Sequence, residues 1–129
     1  MAKAEKIFNM MAVYLSRGEG AEQVKKVQSI FQFDIIPKKG AKPELTCEIN
    51  MKEGNGYCKK GKPAKADATF TMTENDFEAV CMGKLNPQIA FMQGKMRIKG
   101  NMAKAQKFTP ELFPAPTPEA MAKYAGAKL

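Results

Sequence analysis

Histidine does not occur anywhere in the chain of 129 residues. Its absence removes the commonest general base near neutral pH, the Ser-His and Cys-His nucleophile pairs, and the commonest protein ligand for zinc or iron. Acid–base chemistry would have to rest on Asp34, Glu48, Asp67, Glu74, Asp76 and Glu78. The last three of these fall in the opening turns of a candidate helix, where the macrodipole favours negative charge without any catalytic role. The hydroxyls of Tyr14, Tyr57 and Tyr124 have no evident chemical partner. The expectation is a protein that is not an enzyme and holds no cofactor and no metal.

Cysteine is also scarce: Cys47, Cys58 and Cys81 are an odd number, 11 and 23 residues apart, with no C-x-x-C pair. That spacing speaks against a disulfide framework and against a zinc site, and for free thiols at least partly buried. No apolar run approaches the roughly 20 residues that a membrane span requires. The opening MAKAEKIFNMM mixes lysine and glutamate into its apolar positions, so it does not read as a secretory signal. A soluble, intracellular protein is expected.

What is present is a 44% apolar, 26% charged composition with a net charge of +8, and ten methionines but no tryptophan. The composition belongs to one globular domain rather than to a disordered chain. A basic surface suits nucleic acid, an anionic membrane or a small anion. Methionine suits an apolar interior that adapts its shape, and equally an ordinary core. The lysines are spread along the whole chain, and there is no aromatic ladder on a basic strand, no zinc spacing and no KH-type GXXG. Nucleic acid is therefore not an expected partner.

Periodicity divides the chain. Ile7, Phe8, Met11, Tyr14 and Leu15 recur at helical spacing over residues 4–15, ended by Gly18 and Gly20, and a shorter helix is predicted over 21–29. Residues 31–37 (FQFDIIP), 44–52 (ELTCEINMK), 57–60 and 65–73 (KADATFTMT) then read as strands, with Glu53-Gly54-Asn55-Gly56 as a tight turn. Each places its apolar residues on one face, so the sheet is covered on one side only. Thr73 to Asp76 resembles a capping box ahead of a helix with Phe77, Val80 and Cys81 inward, closed by Gly83. Asn86-Pro87 supplies an N-cap and first helical residue for a helix through Met92, and Gly94 ends it. A fifth strand over 95–99 and a last turn or two of helix capped by Asn101 follow. Pro110, Pro114, Pro116 and Pro118 make a stiff connector to a short helical patch and a small tail. The order predicts an α+β fold.

The stretch MQGKMRIKGNM, residues 92–102, has the look of a phosphate loop. A P-loop needs G-x-x-x-x-G-K-[ST] between strand and helix, and here Asn101 follows the second glycine. As a strand, the stretch turns Met96 and Ile98 to one face and Lys95, Arg97 and Lys99 to the other. Those three cations are either a solvated back or a contact for a carboxylate or phosphate group.

FQFDI (31–35), ADATFTM (66–72) and GKLNPQIAFMQGKMRIKGNM (83–102) together resemble the sterol carrier protein 2 domain, also called the non-specific lipid-transfer protein. The resemblance runs from about residue 24 to residue 108. It implies a mixed five-stranded sheet with helices packed on one face and an apolar tunnel between them. It implies binding of fatty acids, fatty acyl-CoA and sterols without catalysis. The matching positions imply a tunnel lined by Phe31, Phe33, Ile49, Met51, Phe70, Met72, Phe77, Val80, Ile89, Met92, Met96, Ile98 and Met102, with the Gln93 amide near a head group. For each apolar position, plain core packing is the competing role. Tyr57, Cys58 and the Pro-rich segment from residue 110 depart from the family pattern, so the resemblance does not set the shape of the tunnel's ends.

The C-terminal Ala127-Lys128-Leu129 is close to the S-K-L peroxisomal address. The expected organisation is a lipid-binding domain over 1–109 and a connector with a targeting tail over 110–129. The expected protein is a stand-alone, monomeric, peroxisomal lipid carrier read by the import receptor and touching membranes transiently. The competing reading is a membrane-surface or enzyme-associated interaction module whose interior is solid.

Overall fold

The computed structural model describes residues 2–126; Ala127, Lys128 and Leu129, the predicted targeting tripeptide, lie outside the described residues. Helix α1 (Ala2–Ser16) and helix α2 (Ala21–Val27) precede the first strand. Gln28 then takes a left-handed conformation, φ 45, and its N–H returns to the Val24 carbonyl. That turn ends α2 short of the predicted boundary and lets strand β1 begin at Ser29.

Five strands, β1 (Ser29–Ile36), β2 (Leu45–Met51), β3 (Tyr57–Lys60), β4 (Ala68–Thr73) and β5 (Met96–Gly100), form one sheet in the order β3-β2-β1-β4-β5. Strands β1 and β4 are parallel, and all other pairs are antiparallel. The mixed sheet and the α+β class expected from the sequence are what is found. Helices α3 (Glu74–Cys81) and α4 (Pro87–Met92) connect β4 to β5, and α5 (Met102–Ala105), a 3-10 turn at Pro110–Leu112 and α6 (Pro118–Lys123) follow. Among the described residues no helix is long and apolar enough to cross a membrane.

Register explains where the core sits. Phe31 pairs with Ile49 and Ala68, Phe33 with Cys47 and Phe70, Ile35 with Leu45 and Met72, and Phe70 and Met72 in turn with Ile98 and Met96. Paired residues share a face, so one side of the sheet is a continuous apolar surface. Phe8 of α1 stacks on Phe77 of α3 at 4.6 Å, and Phe33 stacks on Phe70 at 4.9 Å. Phe108 closes on Phe33 at 4.9 Å and on Phe31 at 5.7 Å. Burying such rings is worth roughly 2 to 3 kcal/mol each before entropy is counted, so this aromatic block dominates stability. The segment 110–126 joins the same core through buried Leu112, Phe113 and Tyr124. There Tyr124 donates its hydroxyl to Glu19 at 3.0 Å and packs edge-on against Tyr14.

The opposite face carries Gln32, Asp34, Thr46, Glu48 and Asn50, yet Gln32, Glu48 and Asn50 are buried. They are covered by one another and by Tyr57: the Asn50 amide donates to Glu48 (3.2 Å), Glu53 (2.8 Å) and the Tyr57 hydroxyl (3.1 Å), and Tyr57 donates to Glu48 at 3.0 Å. Burial, then the bond to Glu48, raises the Tyr57 pKa above its usual value. Mutual satisfaction makes this polar burial tolerable.

Candidate functional site: an apolar groove at the sheet edge

Three short devices build the site. Asn86 caps α4, its Oδ1 accepting from the N–H groups of Gln88 (2.8 Å) and Ile89 (3.3 Å), with Pro87 next as the sequence required. Asn101 caps α5 in the same way by accepting from Lys104 N–H at 3.0 Å. Asp67 ties α5 to the sheet: its carboxylate accepts from Ile30 N–H at 2.8 Å and from the Lys104 ammonium at 3.1 Å, and its carbonyl accepts from Asn101 N–H at 2.8 Å. Partial burial opposes ionisation of Asp67, but the Ile30 and Lys104 contacts outweigh it and hold the pKa below its ordinary value. Gly100 makes the close approach possible, since a Cβ there would lie 2.5 Å from the Asp67 carbonyl oxygen.

These helices are too short to seal the edge. Of α4 only Ala90 is buried, leaving Ile89, Phe91 and Met92 exposed by 50%, 41% and 83%, and Met102 of α5 by 41%. Between α4, β5, α5 and the 3-10 turn lies a groove of about 410 Å³. Phe70, Ile98 and Phe108 line it from the sheet side, Phe91 and Met92 from α4, Met102 and Ala105 from α5, and Pro110 and Glu111 from the turn. Asn86, Gln88, Gln106 and Thr109 supply its polar groups. A second depression of about 430 Å³ lies beyond the turn and shares Asn86, Pro87, Pro110 and Glu111 with the first. Residues 110–111 therefore form a strap between two hollows.

The structure brings four predicted site residues, Phe70, Met92, Ile98 and Met102, onto the groove. It places Phe31, Phe33, Ile49, Met51, Met72, Phe77, Val80 and Met96 in the packed interior, none more than 2% exposed. Ile89 is half exposed on α4 and is not among the residues lining the groove, and Gln93 lines a separate, smaller cleft with Lys95 and Arg97. Sequence reasoning missed Phe91, Ala105, Phe108 and the strap. Phe91 was findable from Pro87 and Phe91 at i, i+4 on one helix face; the strap, reached only through tertiary packing, was not.

The thiols carry no reactive signal. Burial pushes Cys47 up to about 12 and raises Cys58 and Cys81 as well, so none is a ready thiolate. Fold and groove define a class: an α+β domain with an apolar recess at one sheet edge, equipped to hold an apolar molecule.

The model of the SCP-2 sterol transfer family matches residues 11–112. The Arabidopsis thaliana protein named Sterol carrier protein 2 is 42% identical over 115 residues, 89% of this chain and 94% of that relative. The Homo sapiens protein of the same name is 42% identical over 81% of this chain, which spans 19% of that longer relative. Among solved structures, apo Sterol Carrier Protein 2 from Yarrowia lipolytica superposes with a TM-score of 0.65 at 32% identity, covering 77% of this chain and 80% of that one. The Aedes aegypti Sterol Carrier Protein-2, solved in complex with the C16 fatty acid palmitate, shares the fold with a TM-score of 0.59 at 19% identity, covering 84% and 94%. The chain belongs to the SCP-2 sterol transfer family, a family of lipid binding and transfer.

Proposed function

We propose that the chain binds fatty acids, fatty acyl-CoA and sterols in the α4–β5–α5 groove and carries them without covalent chemistry. The observation that carries this reading is the groove itself. Its volume of about 410 Å³ lies in the range of roughly 300 to 1,000 Å³ typical of small-molecule sites, and its walls are largely apolar. Each buried methylene contributes roughly 0.8 kcal/mol, so even half of a long acyl chain offsets an association cost of about 4 kcal/mol. Affinity of this origin depends on apolar area and tolerates varied tails. The palmitate held by the Aedes aegypti relative is a ligand of this chemistry. The absence of histidine and the raised thiols support a carrier over a catalyst.

The exposed rim extends the proposal. Ile89, Phe91, Met92 and Met102 offer apolar contacts around the mouth, and the net charge of +8 draws the protein toward anionic bilayers. Transient membrane contact through this rim loads and unloads the groove. Ala127-Lys128-Leu129 addresses the carrier, a monomer, to the peroxisome through the import receptor, with residues 110–129 serving as strap and tail.

A second reading, an interaction module with a solid interior, is favoured by one observation: the sheet beneath α1 and α3 is tightly filled by Phe8, Phe33, Phe70 and Phe77. A fluorescent fatty acid displaced by palmitoyl-CoA separates the two. Saturable uptake at tens of micromolar or below supports the carrier; no uptake, or uptake that palmitoyl-CoA does not displace, overturns it.

A further inference from the structure

The alternation that turns Phe70 and Ile98 into the groove turns Thr71 and Arg97 to the other side of the sheet. There a separate cleft of about 190 Å³ is closed by the β1–β2 loop, which brings Lys39, and by the α4–β5 link, which brings Gln93 and Lys95. Thr71, Thr73 and Arg97 line its sheet side, and Asp76 supplies one carboxylate. At this size, below the roughly 300 Å³ where sites for larger ligands begin, it suits a small polar group and not an acyl chain.

Three cations therefore face one carboxylate, and among the described residues none of Lys39, Lys95, Arg97 or Asp76 takes part in an ion pair. Gly94 stands at φ +75, and a Cβ there would lie 3.3 Å from the Lys39 ammonium, so the exposed Lys39 side chain brings its charge against the α4–β5 link at the cleft. Like charges held together in one recess repel, and an anion seated among them relieves that repulsion. A guanidinium, ammonium groups and hydroxyls converging on one space are the donors that phosphate oxygens accept from. Thr73 accepts from Asp76 N–H at 3.3 Å, which leaves its hydroxyl proton for an anion.

We propose that this cleft is a site for a phosphate-bearing group, separated from the lipid groove by the thickness of the sheet. Lys39 and Arg97 hold the group, Lys95 and the threonine hydroxyls complete its shell, and Asp76 weakens it. The inference does not rest on lipid carriage. The phosphate can come from a soluble phosphate compound or from a phospholipid headgroup, and the two sources are separable.

The test uses the full chain and two double variants of equal net charge: Lys39→Gln with Arg97→Gln in the cleft, and Lys26→Gln with Lys62→Gln on remote exposed surface. Inorganic pyrophosphate is titrated calorimetrically, and flotation compares phosphatidylcholine vesicles with and without phosphatidic acid. The cleft variant is expected to weaken phosphate binding roughly tenfold or more, and the remote variant by less than about twofold. Asp76→Asn is expected to tighten it a few-fold. Pyrophosphate binding that follows this pattern identifies a soluble source; a pattern confined to the phosphatidic acid vesicles identifies the headgroup. Equal weakening in both double variants, or no response of the unmodified chain to either probe, overturns the proposal. Fatty-acid uptake is measured alongside and stays unchanged in the cleft variant, so failure of this site and failure of the lipid groove are told apart.

Discussion

The middle of the sheet's apolar face and its β5 edge differ although both are made of the same residue types. Under α1 and α3, Phe33 is covered by Phe8, Phe70, Phe77 and Phe108, and no exposed surface is left on it. At the β5 edge, Ile98 faces the same way but is only partly buried, because α4 and α5 contribute one buried alanine each, Ala90 and Ala105. Helix length and the size of the residue a helix turns inward decide whether an apolar strand face becomes core or cavity. Where 15 residues of α1 press methionine and phenylalanine onto the sheet, space is filled. Where a six-residue and a four-residue helix touch it through alanine, a groove remains.

Substitutions at matched positions break this contrast most sharply. Phe33→Ala removes the ring at the centre of the block and is expected to cost about 3 to 5 kcal/mol in urea unfolding. Met72→Trp overpacks a filled site and is expected to cost about 1 to 3 kcal/mol. Met102→Trp projects into the groove and leaves the melting temperature close to that of the parent, while fatty-acid affinity falls roughly tenfold in the displacement assay. Loss of stability at Met102, or unimpaired stability at Met72, would reverse the assignment of core and groove.

A smaller effect lies in the anchor of the groove wall. Asp67→Asn is expected to cost about 1 kcal/mol near neutral pH, from the weakened contacts to Ile30 and Lys104. The Asp67 pKa is lower in the folded chain than its ordinary 3.8, so its contribution is complete above that value and is lost as pH falls through the folded pKa. The melting-temperature gap between parent and variant should therefore close on acidification below about pH 4. A gap that stays constant contradicts the role of the carboxylate charge. Asn86→Ala should have the least effect on global stability, about 1 kcal/mol or less, because it frays only the cap of α4. Faster amide exchange over residues 88–92 with little change in the global melt would register it.

Much of the scaffold was legible before any coordinates. Alternation in residues 31–35, 45–51 and 68–72 gave the strands and their inward faces, Thr73 with Asp76 and Asn86 with Pro87 gave the helix starts, and glycines marked the stops. The polar face was legible only as a pattern. Glu48 and Asn50 alternate like solvent-facing residues, yet cross-strand contacts with Tyr57 bury both. Which strand residues border empty space was not legible. Phe33 and Phe70 pair in the same register and face the same way, and only the packing of distant segments covers one fully and leaves the other bordering the groove. The strap at 110–111 belongs to the same class of information: its prolines announce an end to regular structure but not the hollow beside which they settle.

The central claim is that lipid occupies the edge groove and not the packed interior. The methionines allow it to be read directly, since Met92 and Met102 line the groove while Met10, Met11, Met51 and Met72 are no more than 1% exposed in the core. Methyl-labelled methionine spectra are recorded while palmitate is titrated into the full chain. The Met92 and Met102 methyl signals should shift saturably, with the four core methyls nearly unmoved. Saturable shifts of Met51 and Met72 with Met92 and Met102 unmoved would contradict the account and place the lipid beneath α1 and α3.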